Sequence, residues 1–478
     1  MIDSRTLSVS PSSSTETSKR VDGSRIRRSV VLFAIGVLCA VVLGAMPSVA
    51  AAGCVSTTLS QRLVDEQNSD TCGYGADVAI WGNTAIIGAS FGNLSNISDA
   101  GNAYIYTRTT SSASWQLEAT LPNPSASSQD QFGNAVAIEG NTAVVGSNAQ
   151  VHIYVRSGTT WTLQQALAPG GAFGNDVGIS GNTVVVGAKT YSSGSFTGSG
   201  RTYVYTRSGT TWSLQATLNP LIIVSGGNFG NSVSIWGDTV SIAQLNTLPG
   251  GGGSGLSRVY IYRRSGSVWS VEDELEPVSS YPGATRYAVD LFGFSMSLVG
   301  DTVVIGAPGD QLPTDPANTS YGSAFVFARS GSNWSQTAKL QPPDPRQGER
   351  LGRSVAQNGL GFAAVGGIGS LTKDRAIAFR TVSGAWVQQH ALLRGGEPVL
   401  HELYGNSIAL SGGSSGGTVL VAGFTGDNTT IGSVFSFATD SVGWMQTQIL
   451  QEPLNTNDNF GNAVATATDY AVVGIVQD

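Results

Sequence analysis

The chain has little charge and few of the residues that usually do chemistry. Only 12% of its 478 residues are Asp, Glu, Lys or Arg, and it holds three histidines and three cysteines. With so few charges, the surface must be made of Ser, Thr, Asn and Gly. Runs of basic residues are absent, which excludes the electrostatic footprint of a nucleic-acid binder. A sustained helical period is also missing beyond the N-terminal region. What is abundant is glycine, at 62 residues, and a glycine-rich, weakly charged composition suits short strands joined by tight turns.

The first fifty residues differ from the rest. Arg25, Arg27 and Arg28 precede an uncharged apolar run from Val30 to Met46, which ends in PSVAAAGC. A basic flank, an apolar stretch and small residues are the parts of an export signal. The run is longer than a usual signal core, so residues 1–50 are read as a signal peptide or an N-terminal membrane anchor with a polar leader. Ala51 to Cys54 is similar to a bacterial lipoprotein processing box, although that box usually has a larger apolar residue where Ala51 stands. Export also permits a disulfide, and with Cys39 inside the exported segment's leader the pair would be Cys54 and Cys72. Both fates of Cys54 stay open, and the disulfide is the favoured one. Without residues 1–50 the chain carries 19 basic and 29 acidic residues, a formal charge near −10.

From residue 54 to the end, one unit recurs. Aromatic-Gly anchors stand at Tyr74-Gly75, Phe132-Gly133, Phe173-Gly174, Phe229-Gly230, Phe292-Gly293, Tyr404-Gly405 and Phe460-Gly461, with Leu351-Gly352 as a departure. They are spaced by 41 to 63 residues, with a mean near 55, a period that points to propeller blades or a solenoid. Each unit has four apolar pieces. The first two are joined by Gly-Asn or Gly-Asp (Gly82-Asn83, Gly140-Asn141, Gly181-Asn182, Gly237-Asp238, Gly300-Asp301), the signature of a two-residue hairpin. The third alternates large and small residues, as in TYVYTR from Thr202, so it has two unlike faces. The fourth opens on tryptophan. Trp115, Trp161, Trp212, Trp269, Trp334, Trp386 and Trp444 all fall there, and recurrence at one slot of every unit reads as packing between neighbouring units, not as a ligand-stacking site.

Four antiparallel strands with no helix between them make a blade, and blades close radially to protect their edges. The fold class expected is all-β: a β-propeller of seven or eight four-stranded antiparallel blades spanning 54–478. The segment from Thr57 to Leu63 matches a fourth strand. The last unit, FGNAVATATDYAVVG, supplies strands one and two, so an N-terminal strand is expected to join the last blade and lock the ring.

The FG…GNTVVVGA and FGFSMSLVGDTVVIGAPGD segments (the latter from Phe292 to Asp310) resemble FG-GAP repeats, those of the integrin α-chain N-terminal propeller. The resemblance implies a propeller whose loops on one face take ligand, in a family that spans adhesion, receptor and accessory roles. Blades of that type often bind Ca²⁺ in the loop between strands one and two. Here the loop has collapsed to Gly-Asn-Thr or Gly-Asp-Thr, too short to supply six to eight oxygens, so no such metal site is expected. Asn455 to Asn459, NTNDN, is rich in oxygen donors but precedes an anchor, in a different loop. No other cofactor is implied.

In an up-and-down blade, turns one-to-two and three-to-four share one face, and connections two-to-three and four-to-one share the other. The first kind is short. The second is long and individual, as in KTYSSGSFTGSGR from Lys189, QLNTLPGGGGSGLSR from Gln244, PGDQLPTDPANTSYG from Pro308 and EPVSSYPGATRYAVDL from Glu276. Within those loops Tyr281, Arg286, Tyr287, Asp310 and Asp315 mix aromatic anchors with charge and are the candidate contacts.

Catalytic motifs fare poorly. His152 occupies the aromatic slot of a third strand, matching Tyr104, Tyr203 and Tyr260, and reads as structural. His390 lies in a fourth strand. His401-Glu402 lacks the second histidine of a zinc motif. Gly412-Gly413-Ser414-Ser415-Gly416 fits a nucleophile pattern, but in a Ser/Gly turn between strands instead of a strand-to-helix elbow. The strand-one segments, where acidic or His groups would converge on a ring axis, are mostly small and apolar. The expected function is non-enzymatic binding of a protein or glycan through the long-loop face of a secreted or surface-exposed protein. A propeller hydrolase or lyase, and a purely structural surface component, are the alternatives.

Overall fold

The computed structural model describes residues 32–34, 73–94, 96–110, 113–170, 173–246, 257–278, 290–311, 320–368, 375–392, 402–412, 418–425, 433–439, 444–451, 458–467 and 470–477. Among them the regular structure is all β: seven four-stranded antiparallel sheets, each following chain order, and one three-stranded sheet. In order, the seven span 74–122, 135–167, 176–218, 229–275, 296–340, 354–392 and 402–451. The eighth pairs Asp458–Ala467 with Tyr470–Gln477, and Leu32–Ala34 lies beside the latter strand. That added strand comes from the apolar run read as an export segment. Thr57 to Leu63, expected to fill the position, lies outside the described residues, as do Cys54 and Cys72. Among the described residues no helix is long and apolar enough to cross a membrane.

The first strands of successive sheets pack side by side, and the first strand of the first sheet packs against the last hairpin. Ala465 and Val472 of that hairpin share one buried cluster with Val78, Ile80 and Ile87 of the first sheet. Similar clusters lie at the junctions between neighbouring sheets, so the core is a series of inter-sheet layers, as propeller blades provide.

The anchors explain this packing. All eight anchor glycines adopt φ between 88° and 97°, a region that side-chain-bearing residues rarely enter. In the second to fifth sheets the phenylalanine before the glycine is buried and meets the third strand of its own sheet edge-on, as with Phe173 on Tyr203 at 5.3 Å and Phe292 on Phe325 at 5.6 Å. In the first five sheets the turns between strands one and two carry glycine at their first position, for example Gly181 at φ 56° pairing Ser180 with Thr183, the pattern of a type II′ hairpin.

Every four-stranded sheet also has a register shift between its third and fourth strands at the same place, as at Val204/Tyr205 and Ile261/Tyr262. The extra residue stands three positions after each tryptophan: Glu118, Gln164, Gln215 and Glu272 in the first four sheets. A bulge re-aims a side chain, and these four all point at the next sheet. Trp161 Nε1 donates to Glu118 at 2.7 Å, Trp212 to Gln164 at 2.7 Å, Trp269 to Gln215 at 2.7 Å and Trp334 to Glu272 at 2.9 Å. Burial of each indole plus this bond joins neighbouring sheets.

Candidate binding face

The two faces are built differently. On the short-turn face of the third to fifth sheets, an arginine at the end of the third strand lies opposite the tryptophan and reaches the first turn. Arg207 donates to Asn182, Arg264 to Asp238 and Arg329 to Asp301. The guanidinium groups of Arg207 and Arg264 also lie 5.2 and 5.3 Å from the indole centroids of Trp212 and Trp269, within cation–π range. Across sheets, Arg207 donates to Thr142, Arg264 to Thr183 and Arg329 to Glu272. The polar groups of this face are thus used to hold its own turns and its neighbours.

On the opposite face, the two-to-three and four-to-one loops bond to one another. Gln131 N–H donates to Asp99 O, Asn228 N–H to Gly198 O, and Leu351 N–H to Tyr321 O. These loops differ from sheet to sheet, and they hold exposed large apolar residues: Phe91, Phe196, Leu221, Ile222, Ile223 and Val278. Leu117, Leu163 and Leu214 are exposed as well, but along the outer fourth strands.

Of the residues proposed from sequence, Tyr281, Arg286, Tyr287 and Asp315 lie outside the described residues. Asp310 lies at the base of its loop. Its carboxylate pairs with Lys339 at 2.7 Å and accepts from Ser323 Oγ at 2.7 Å, while its backbone carbonyl accepts from the N–H groups of Tyr321 and Gly322. A cleft of about 630 Å³ lies between the fourth and fifth sheets, lined by Glu274, Glu276, Phe327, Trp334 and Gln336. Its polar groups are engaged: Arg258 pairs with both glutamates, and Gln336 bonds the Val278 backbone through both ends of its amide. The aliphatic loop residues were missed in sequence because a short Leu-Ile-Ile run in a loop carries no motif.

Two acidic groups of the first strands, Asp77 and Asp176, are each taken up by a neighbouring sheet. Asp77 accepts the Val136 N–H and Asp176 the Val233 N–H, each at 2.7 Å, so each carboxylate ties one first strand to the next sheet. Among the described residues, no three His, Cys, Asp or Glu side chains form a group able to hold a metal ion. His401 and residues 413–416 of the Ser/Gly turn lie outside the described residues, and His390 lies in Ala385–Leu392.

His152 is fully buried, 5.3 Å from the Phe132 ring, and neither ring nitrogen has a hydrogen-bond partner. Burial lowers its pKa from 6.5 to about 4, against the opposing pull of Asp130. The unfolded imidazole binds a proton that the folded one refuses, so this contribution is present above pH 6.5 and is lost as pH falls to about 4. A shift of that size corresponds to roughly 3 kcal/mol. His152→Phe, copying Phe325 in the same slot of the fifth sheet, should flatten the stability profile by that amount between pH 7 and pH 4. Urea titrations of both proteins at the two pH values measure it, and parallel profiles would refute it.

The sequence matches the FG-GAP repeat family over residues 58–106, 115–160 and 287–327. No curated protein matches the chain. Among solved structures, the crystal structure of the computationally designed Ika8 protein is similar at 13% identity and a TM-score of 0.46, covering 86% of this chain and 96% of that one.

Proposed function

We propose that this FG-GAP repeat protein is a non-enzymatic interaction module, secreted or surface-exposed, that binds a protein or glycan through its long-loop face. The coarser part, a propeller of the kind used for protein interaction, follows from the repeats and the sheets. The observation that carries the finer reading is the contrast between the faces. Short turns and arginines repeat on one face and satisfy each other, whereas the other face carries unrepeated loops with exposed aromatic and aliphatic side chains. Binding sites concentrate on such loops when a rigid scaffold holds them. A non-enzymatic role is supported by Asp77 and Asp176, whose carboxylates each hold a backbone N–H of the next sheet. Export is supported by the basic-apolar-small pattern of residues 25–54. We also infer that the eight sheets form one ring, since the last hairpin packs on the first sheet.

The test is a pull-down and glycan screen with the protein and with a variant whose 189–201, 244–258 and 308–322 loops are cut to short turns. The expected result is loss of a saturable partner from a trimmed protein that keeps its β-sheet circular dichroism. Equal binding by both proteins would move the site to the other face or the rim.

A further inference from the structure

Charge is distributed unevenly along this acidic chain. Residues 140–237 contain Arg156, Lys189, Arg201 and Arg207 but one acidic residue, Asp176, while the rest of the chain holds 21 basic and 31 acidic residues. Asp176 is taken up by the Val233 N–H, and Arg156 pairs with Glu118. Arg207 is held on the short-turn face by Asn182 and Thr142. Lys189 and Arg201 are left, both on the long-loop face of the third sheet.

Arg201 shows what is missing there. It opens the third strand of its sheet, as Arg258 and Arg375 open theirs. Arg258 Nε donates to the Glu276 carboxylate at 2.9 Å and also pairs with Glu274. Arg375 is held by Glu349 and Asp344. Glu276 follows the last residue of its fourth strand, and in the third sheet that position is Asn219. Arg201 Nε accordingly donates to Asn219 Oδ1 at 3.0 Å, and its guanidinium lies over the Tyr191 ring at 3.9 Å. Among the described residues neither Arg201 nor Lys189 has a carboxylate partner. An arginine whose equivalents in the fourth and sixth sheets bind acids here meets a neutral amide.

Exposed apolar groups adjoin it. The two-to-three loop carries Phe196, and the four-to-one loop carries Leu221 at 62% exposure, Ile222 and Ile223. The two loops are joined by Gly226 N–H to Thr197 O and Asn228 N–H to Gly198 O, and Gln244 fixes the Ile222 carbonyl. Resting on the reading of this face as the binding face, we propose that Lys189, Phe196, Arg201, Leu221, Ile222 and Ile223 form a docking site for an acidic, apolar polypeptide segment. A ligand carboxylate supplies Arg201 with the negative charge that Glu276 gives Arg258 and that the neutral Asn219 lacks, and neighbouring aliphatic or aromatic side chains cover the loop residues. The occupant's charge is opposite to that of Lys189 and Arg201.

The probe is a fluorescent octapeptide alternating Asp or Glu with Leu or Phe, titrated against the intact protein by anisotropy. Its Asn/Gln twin and phosphatidylserine vesicles run alongside. Saturable binding of the acidic peptide, at least tenfold tighter than the amide twin and weakened by salt, is expected. Asn219→Glu supplies the absent carboxylate internally and should weaken binding tenfold or more without lowering stability. Lys189→Glu should weaken it as well, while Arg201→Lys keeps part of it. Equal binding of both peptides, no binding, indifference to Asn219→Glu, or preference for vesicles would each overturn the proposal. Peptide binding that survives Asn219→Glu but is lost on trimming 189–201 would sink the carboxylate site and leave the face assignment standing. Binding indifferent to both would sink the two together.

Discussion

Glu349→Ala should destabilise the protein by about 3–5 kcal/mol, the range for removing one partner of a buried ion pair. Glu349 is fully buried and Arg375 nearly so. The guanidinium donates to both carboxylate oxygens of Glu349, and to the side chain and backbone carbonyl of Asp344 at 3.0 and 2.9 Å. Burial pushes the Glu349 carboxyl up, against the pull of Arg375, while the same arginine holds Asp344 below its ordinary value. Removing Glu349 leaves a buried cation with one exposed carboxylate partner, Asp344. Arg375→Met combined with Glu349→Leu removes both buried charges and should cost far less than Glu349→Ala alone. Urea midpoints for the two variants decide the matter. A loss below about 1 kcal/mol for the single substitution, the scale of an exposed pair, would mean that water reaches the arginine.

The position of this pair has a structural reason. The tryptophan clamp joins sheets one to two, two to three, three to four and four to five. At the next junction the bulge residue is Thr337, whose hydroxyl turns back to the Val326 carbonyl of its own sheet, and Trp386 is only partly buried. There the adjoining sheets are held by other means: Gln357 Nε2 donates to the Ser297 and Thr302 carbonyls, and the Arg375 group ties the sixth sheet to the loop that enters it.

Much of the scaffold could be read in the sequence because it is written repeatedly. The anchors, the Gly-Asn turns and the tryptophan slot recur at fixed order, and a pattern with one structural meaning per copy can be averaged over copies. His152 was placed in the aromatic slot by that register, and its ring meets Phe132 edge-on as Tyr203 does Phe173. The acceptors of the indole N–H groups were not legible. Glu118, Gln164, Gln215 and Glu272 look like ordinary outward residues of a strand, and only the bulge turns them to the neighbour. The arginine of YTR or RRS likewise reads as a solvent-facing end of a strand, although it reaches a turn and an adjacent sheet. The loops resist for the opposite reason: each occurs once. Asp310 has the chemistry of a contact residue, but Lys339, far from it in sequence, takes its charge. Asn219 in place of a glutamate carries meaning only when the three strand-opening arginines are compared in space.

Gly88→Ala should cost more than the roughly 1–3 kcal/mol usual for overpacking a core, although Gly88 lies in an ordinary strand and the change adds one methyl group. A Cβ built there would lie 1.9 Å from the carbonyl oxygen of Gly133, the anchor glycine of the next sheet. The obstacle is backbone, so no side-chain rotation relieves it, and the two sheets must separate. The same approach recurs between Gly187 and Gly230 and between Gly306 and Gly352, at 2.1 and 1.9 Å, which is why Gly-Ala ends the second strand and aromatic-Gly opens the next unit. The fourth sheet provides a control. Ala243 stands at the equivalent position there, and a Cβ on Gly293 would meet the Ala243 methyl at 2.9 Å instead of a carbonyl, so that junction already accommodates a side chain. Gly82→Ala isolates the other effect, since its φ is 51° with open space around it, and should cost only the 1–2 kcal/mol or so of left-handed backbone strain. Thermal and urea unfolding of the two variants should therefore rank Gly88→Ala well below Gly82→Ala. If the two prove equal, close backbone approach between sheets is not what fixes the repeat's glycines, and conformational freedom alone must account for them.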